Sequence, residues 1–129
     1  MALSSVTEGE LYHLGRWLVG SGALMPTLPL GLIAHVIRGL WDRAGFVGHN
    51  NRGYPVASVL VHRGLAEQIA DVIEEVTGRR SRARPVGTAH WVGVSGKRCT
   101  PWLRFLYADA CVVSPTRLVQ VRAVLGSTE

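Results

Sequence analysis

Lysine is almost missing from this sequence: of its fourteen basic residues only Lys97 is a lysine, and the rest are arginines. Cysteine is nearly as scarce. Cys99 and Cys111 stand twelve apart with His90 as the one nearby histidine, which falls short of a zinc site in ligand number and spacing. Two such cysteines also exclude a disulfide-stapled scaffold, and the expectation is two free, buried thiols. No apolar run approaches the roughly 20 residues that a membrane span requires, and no signal-like segment opens the chain, so a cytoplasmic protein with no membrane partner is expected. No glycine-rich loop has phosphate-cradle spacing, and Ser95 has no nucleophile elbow around it. The five histidines are scattered, and His13 and His35 fall on largely apolar helices where a core role is expected.

Acidic residues are few and unevenly placed. The formal net charge is +5 with nine Asp and Glu, and none of these lies between Arg79 and Arg104, where seven basic residues stand. Asp71, Glu74 and Glu75 occur just before that stretch, so positive charge is concentrated rather than spread. Arginine binds phosphate and guanine edges in bidentate fashion, which favours nucleic acid as a partner. A coding bias toward arginine gives the same composition, so the positions of the charges carry the argument. At 129 residues, 47% of them hydrophobic, the chain suits one compact domain and not a disordered segment.

What is present alternates between two periods. Leu11, Leu14, Trp17 and Leu18 repeat at helical spacing from about Thr7 to Val19, with Thr7 and Glu10 as a capping box and Gly20-Ser21-Gly22 as the stop. After a proline-rich loop, Leu32, Ile33, Val36, Ile37, Leu40 and Trp41 mark a second helix closing at Ala44-Gly45. Strands Phe46–His49 and Tyr54–His62 flank the turn Asn50-Asn51-Arg52-Gly53, with Ala57, Val59 and Val61 facing inward. A third helix follows from Gly64 to Thr77, ended by Gly78. A second hairpin is expected from Arg80–Val86 and His90–Ser95 across Gly87-Thr88-Ala89, then helices Pro101–Ala108 and Pro115–Leu125. The order is α-α-β-β-α-β-β-α-α, an α+β fold with an antiparallel sheet.

Two sets of residues are candidates for contact with DNA. Arg80, Arg82 and Arg84 alternate with Ser81, Ala83 and Pro85, so a strand would project all three guanidinium groups from one face. In the first hairpin the outward parity carries Gly48, Asn50, Arg52, Tyr54, Ser58 and His62, types that can bond base edges and phosphates. The competing readings are an edge strand protected by charge and an ordinary solvated sheet face. Lys97 and Arg98, after the last strand, could reach a phosphate or simply form a polar turn.

The stretch Ile37-Arg38-Gly39-Leu40-Trp41-Asp42-Arg43-Ala44-Gly45 resembles the motif that names the LAGLIDADG homing endonucleases, in the variant found in intein endonucleases. Phe105-Leu106-Tyr107-Ala108-Asp109-Ala110 is similar to a C-terminal phrase of the same family. The resemblance covers about residues 28 to 125. It implies an αββαββα domain whose saddle-shaped sheet sits on duplex DNA. It also implies paired motif helices whose ends each deliver one carboxylate to a divalent metal, usually Mg2+, that activates water. The chain departs at the acid: the metal-binding position is Ala44, and Asp42 occupies a place that shapes the helix end. A second echo, Leu14-Gly15-Arg16-Trp17-Leu18-Val19-Gly20-Ser21-Gly22, is similar to the first motif of the intein enzymes, with Ser21 where an acid belongs. Its alternative is a helix that simply ends at glycines.

The expected division is therefore 1–27 as an N-terminal helix and loop, 28–125 as the domain covered by the resemblance, and 126–129 as a tail. One motif helix needs a mate, so the expected assembly is a two-fold homodimer with a seam of Ile33, Val36, Ile37, Gly39, Leu40 and Trp41. If the upstream helix packs there instead, a monomer follows. The resemblance with its acid missing implies a duplex-DNA-binding protein that does not cleave and needs no cofactor. The alternatives are an Mg2+-dependent endonuclease with Ala44 engineered or compensated by a partner subunit, an RNA-binding maturase-like splicing helper, and a module that binds no nucleic acid.

Overall fold

Thr7 caps the first helix as its sequence suggests: its Oγ1 accepts from Glu10 N at 3.1 Å, and Glu10 Oε1 accepts from Thr7 N at 3.3 Å. The computed structural model describes residues 6–128, and in it helix α1 spans Glu8–Leu18 and α2 spans Leu30–Ala44. These two helices make the most extensive contact between elements in the chain. They run parallel, because partners advance together along both: Glu8 beside Arg38, Tyr12 beside Asp42, Arg16 beside Arg43. The 19–29 loop has a reach of roughly 36 Å, ample to retrace the roughly 16 Å rise of α1 and start α2 at the same end.

Two glycines allow this packing. A Cβ placed on Gly39 would stand 1.9 Å from Tyr12 O, and one on Gly15 would stand 1.8 Å from Val36 O, so the backbones themselves are in contact. The expected homodimer seam is thereby corrected. Val36, Ile37, Leu40 and Trp41 are wholly buried, Ile33 nearly so, and Gly39 is closed by Tyr12 of α1, all within one chain. The physical reason is that α1 carries its own glycine in phase with Gly39.

The remaining elements are β1 (Gly45–His49), β2 (Pro55–Val61), α3 (Arg63–Thr77), β3 (Arg84–Val86), β4 (Ala89–Ser95), a short 3-10 turn (Gly96–Arg98), α4 (Cys99–Tyr107) and α5 (Pro115–Thr128). The strands form one antiparallel sheet in the order β1-β2-β4-β3. Its inner face, Val47, Ala57, Val59, Val61, Val92 and Val94, closes a single core with α2, α3 and α4. Trp41 and Trp102 meet edge to face in that core at 5.6 Å. Among the described residues no helix is long and apolar enough to cross a membrane.

Five further expectations need correction. The strand expected over Arg80–Val86 begins only at Arg84, because Ser81 takes the ladder's place further up: its Oγ donates to Gly93 O and accepts from Gly93 N at 3.3 Å. Residues 126–128 continue α5 rather than forming a tail, and Glu129 lies outside the described residues. The N-terminal segment is not separate from the domain, since Leu11 and Leu18 are core residues, while residues 1–5 lie outside the described ones. Of the cysteines, Cys99 is buried and Cys111 exposed. His13 is exposed too, whereas His35 is half-buried and accepts from Arg38 Nη2 at 2.8 Å.

Candidate nucleic-acid interface

The motif position expected to hold metal is Ala44, exposed at the end of α2, and its counterpart Ser21 is exposed just beyond α1. The parallel pairing brings these two helix ends to the same side of the molecule, where Arg43 Nη1 donates to Arg16 O at 2.6 Å. Ser21 Oγ donates to Leu18 O and accepts from Ala23 N, a local closure of the helix end.

Asp42 is engaged as a structural acceptor. Its Oδ2 accepts from Tyr12 OH and Ser114 N, each at 2.7 Å, and its Oδ1 accepts from Tyr107 OH at 2.6 Å. Burial first, then the Asp42 carboxylate, pushes the Tyr12 hydroxyl up to about 12, and the same causes raise Tyr107. One carboxylate thus ties α1, α4 and the segment before α5 to α2. A magnesium ion does not fit these residues: a methyl group offers no ligand, and both Asp42 oxygens are taken. Among the described residues no three His, Cys, Asp or Glu side chains cluster as metal ligands.

A second polar knot supports the pair from the other end. Arg38, almost wholly buried, donates to Leu106 O (2.8 Å), Val112 O (2.9 Å) and Glu8 Oε2 (2.9 Å). Burial alone would raise the Glu8 carboxyl, but the N–H groups of Val112 and Cys111 and the charge of Arg38 hold it below the usual range. Burial and the neighbouring Arg38 charge lower His35.

Exposed basic groups occur on helices as well as beside the sheet, and those of the 80–84 run flank it. Arg80, Arg82 and Arg84 are all exposed while Ser81 is buried and Ala83 half-buried, so the alternation predicts which residues leave the core, though only Arg84 lies in a strand. Their destinations differ. Arg80 turns back to α3, pairing with Asp71 and, at 2.8 Å, with Glu67. Arg82 is exposed at a recess it shares with Glu67 and Arg80, and Arg84 lies over the Trp91 ring with its guanidinium carbon 4.5 Å from the centroid. The expectation that all three line one face is corrected for Arg80, because two carboxylates on α3 lie within its reach.

The first hairpin is reassigned in part. Arg52 and Tyr54 are exposed at its tip, with Tyr54 and Lys97 lining one surface recess. Asn50 holds the turn, accepting at Oδ1 from Arg52 N and Tyr54 N. Ser58 is buried beside the close crossing at Gly93, and His62 caps α3 while its Nε2 donates to Ala23 O at 2.8 Å. Arg98 reaches Arg79 O at 3.4 Å. Of the expected contacts, Arg52, Tyr54, Arg82, Arg84 and Lys97 therefore face solvent with their groups available, and Asn50, Ser58, His62 and Arg80 serve the fold.

The same outward parity holds residues that a search for polar contacts passes over. Phe46, Leu60 and Val86 are exposed on the sheet's outer face, and Trp91 is half-buried there under Arg84. They were legible in the two-residue alternation from Phe46 and from Tyr54 to Leu60. No Asp or Glu occurs in residues 43–66 or 76–108, which include every strand and both hairpin turns. No protein-family model, curated protein or solved structure matches this chain.

Proposed function

We propose that this chain binds nucleic acid, duplex DNA in the first instance, on a homing-endonuclease-like scaffold that no longer cuts. The observation that carries the reading is the segregation of charge: the sheet and its turns contain no carboxylate while presenting Arg52, Arg82, Arg84 and Lys97 to solvent. A polyanion meets no like charge on the strands and hairpin turns themselves, and the carboxylates closest to Arg82 are those of Glu67 and Asp71 on α3, which pair with Arg80. The scaffold reading is supported by the helix pair, in which Gly15 and Gly39 let two parallel backbones touch, as two motif helices must. With an alanine and a serine at the paired ends and Asp42 tied to three donors, no group remains to hold a metal or activate water.

The test is binding of a fluorescent duplex by anisotropy across about 50 to 200 mM salt. Four phosphate contacts predict a slope of log K against log salt of about −3.6. Binding without salt dependence, or none, overturns the reading. Phosphodiester hydrolysis by the unaltered chain with Mg2+ overturns the non-cleaving half of it.

A further inference from the structure

The outer face of the sheet is less polar than a surface that only tracks phosphates. In register order, one row across the strands reads Phe46, Ser58, Gly93 and the next reads Leu60, Trp91, Arg84. Phe46 is 49% exposed and Leu60 48%. The Phe46 ring lies down across the strand: a Cβ on Gly48 would stand 2.9 Å from its Cζ, so the ring presents a face rather than an edge outward. Ser58 and Gly93, beside Phe46 in its row, carry little or no side chain and leave the floor low. At the far side Arg84 covers Trp91, adding a guanidinium plane on top of an indole.

Base pairs stacked inside a duplex hide their faces and offer only edges and phosphates, so exposed aromatic faces gain nothing from them. Unpaired bases offer π-faces, and aromatic rings and guanidinium planes on a sheet are the groups on which they stack. Phe46 and Trp91 stand two strands and one row apart, roughly 12 Å from ring position to ring position, too far for one base to cover both. A polyanionic strand is also the partner whose charge suits a face with arginines around it and no carboxylate on it.

We infer that this face binds single-stranded nucleic acid, with separate bases stacked on Phe46 and on the Arg84–Trp91 pair. The inference rests on the reading that the sheet is the polynucleotide surface, and specifies what part of a polynucleotide it takes.

The test compares anisotropy titrations of oligo(dT), oligo(rU) and a duplex of equal length, with the wild type, Phe46→Ala, Trp91→Ala and the conservative Trp91→Phe. Phe46 is an exposed side chain, so its loss leaves the core intact, and circular dichroism checks each variant. The expected result is single-strand binding that falls about ten-fold or more with either alanine variant and is kept by Trp91→Phe, with duplex binding changed far less. Quenching of tryptophan fluorescence by the oligonucleotide that is present in the wild type and lost in Trp91→Phe assigns the stacking to Trp91 and not to the exposed Trp17. Relative strength of the dT and rU arms assigns DNA or RNA. Duplex binding with no single-strand binding, or single-strand binding indifferent to both rings, overturns this inference and leaves the proposed function standing. No binding to any polynucleotide overturns both. A wild type that self-associates through Phe46 and Trp91, with oligonucleotide affinity unchanged in the monomeric variants, also overturns it.

Discussion

Tyr107 OH donates to Asp42 Oδ1 over 2.6 Å, which binds the middle of the C-terminal phrase to the one carboxylate left in the motif. Two more donors, Tyr12 OH and Ser114 N, complete the set on Oδ2. Hydrogen bonds to charged groups contribute about 1.5–3 kcal/mol each. Asp42→Ala is therefore expected to lower stability by about 3 kcal/mol or more, and Tyr107→Phe by about 2 kcal/mol. Urea unfolding measures both, and an Asp42→Ala midpoint equal to the wild type would show that the cluster does not hold the helices together.

Gly39 and Gly31 lie in the same helix and are expected to answer an added methyl with opposite signs. Gly39→Ala drives a Cβ to 1.9 Å from Tyr12 O, a backbone atom that cannot step aside, whereas Gly31 has nothing within 4 Å. Gly31→Ala should stabilise by up to about 1 kcal/mol through helix propensity. Gly39→Ala should destabilise by several times that, about 3 kcal/mol or more, through overpacking. Thermal unfolding of the two proteins side by side reads the contrast.

Ala44→Asp is expected to leave the chain without nicking activity in Mg2+, because the paired helix end offers Ser21 and no second acid. A supercoiled-plasmid assay shows this directly. Nicking by Ala44→Asp would mean that one carboxylate at this position suffices for hydrolysis.

Acid should weaken the fold in two stages. His35 has its folded-state value lowered by burial and by Arg38, so its contribution is complete above the unfolded value near 6.5 and is lost as pH falls below it. Glu8 is lowered as well, and its contribution is complete above about 4.5 and lost as pH drops through its folded value. Stability against pH should fall first below about 6.5 and again below about 4.5. His35→Gln should remove the first stage alone and Glu8→Gln the second.

The three arginines of the 80–84 run should separate in a salt titration with duplex DNA. Arg84→Ala and Arg82→Ala are expected to shrink the slope by about 0.9 each if each meets one phosphate, and Arg80→Ala to leave it unchanged. Arg80 is an exposed pair with Glu67 and Asp71, a contact worth about 0–1 kcal/mol, so its loss should barely register in unfolding either.

Most of the architecture could be read from periodicity. The capping box at Thr7, the helix stops at Gly45 and Gly78 and the inward set Ala57, Val59 and Val61 all follow from local rules that the tertiary structure leaves in force. The strand start at Arg84 did not, because Ser81 replaces backbone pairing with a side-chain bridge to Gly93 that alternation cannot distinguish from a ladder. Nor did the engagement of Asn50, His62 and Arg80 or the burial of Ser58: a polar residue of outward parity looks the same whether it caps, bridges, is covered or waits for a ligand. The helix pair was legible only as alternatives. Gly15 and Gly39 allow either an internal mate or a second subunit, and the choice depends on a loop whose path no periodic signal encodes.

With α1 filling the seat beside α2, the chain hangs a single sheet from its helix pair and has no second half to mirror it. The outer side of the sheet has a head and a tail: the hairpin tip with Arg52 and Lys97 at one end, Arg84 and Val86 at the other. If the proposed polynucleotide binding holds, such a surface offers a palindrome no matching halves and sets a strand laid across it in one polarity.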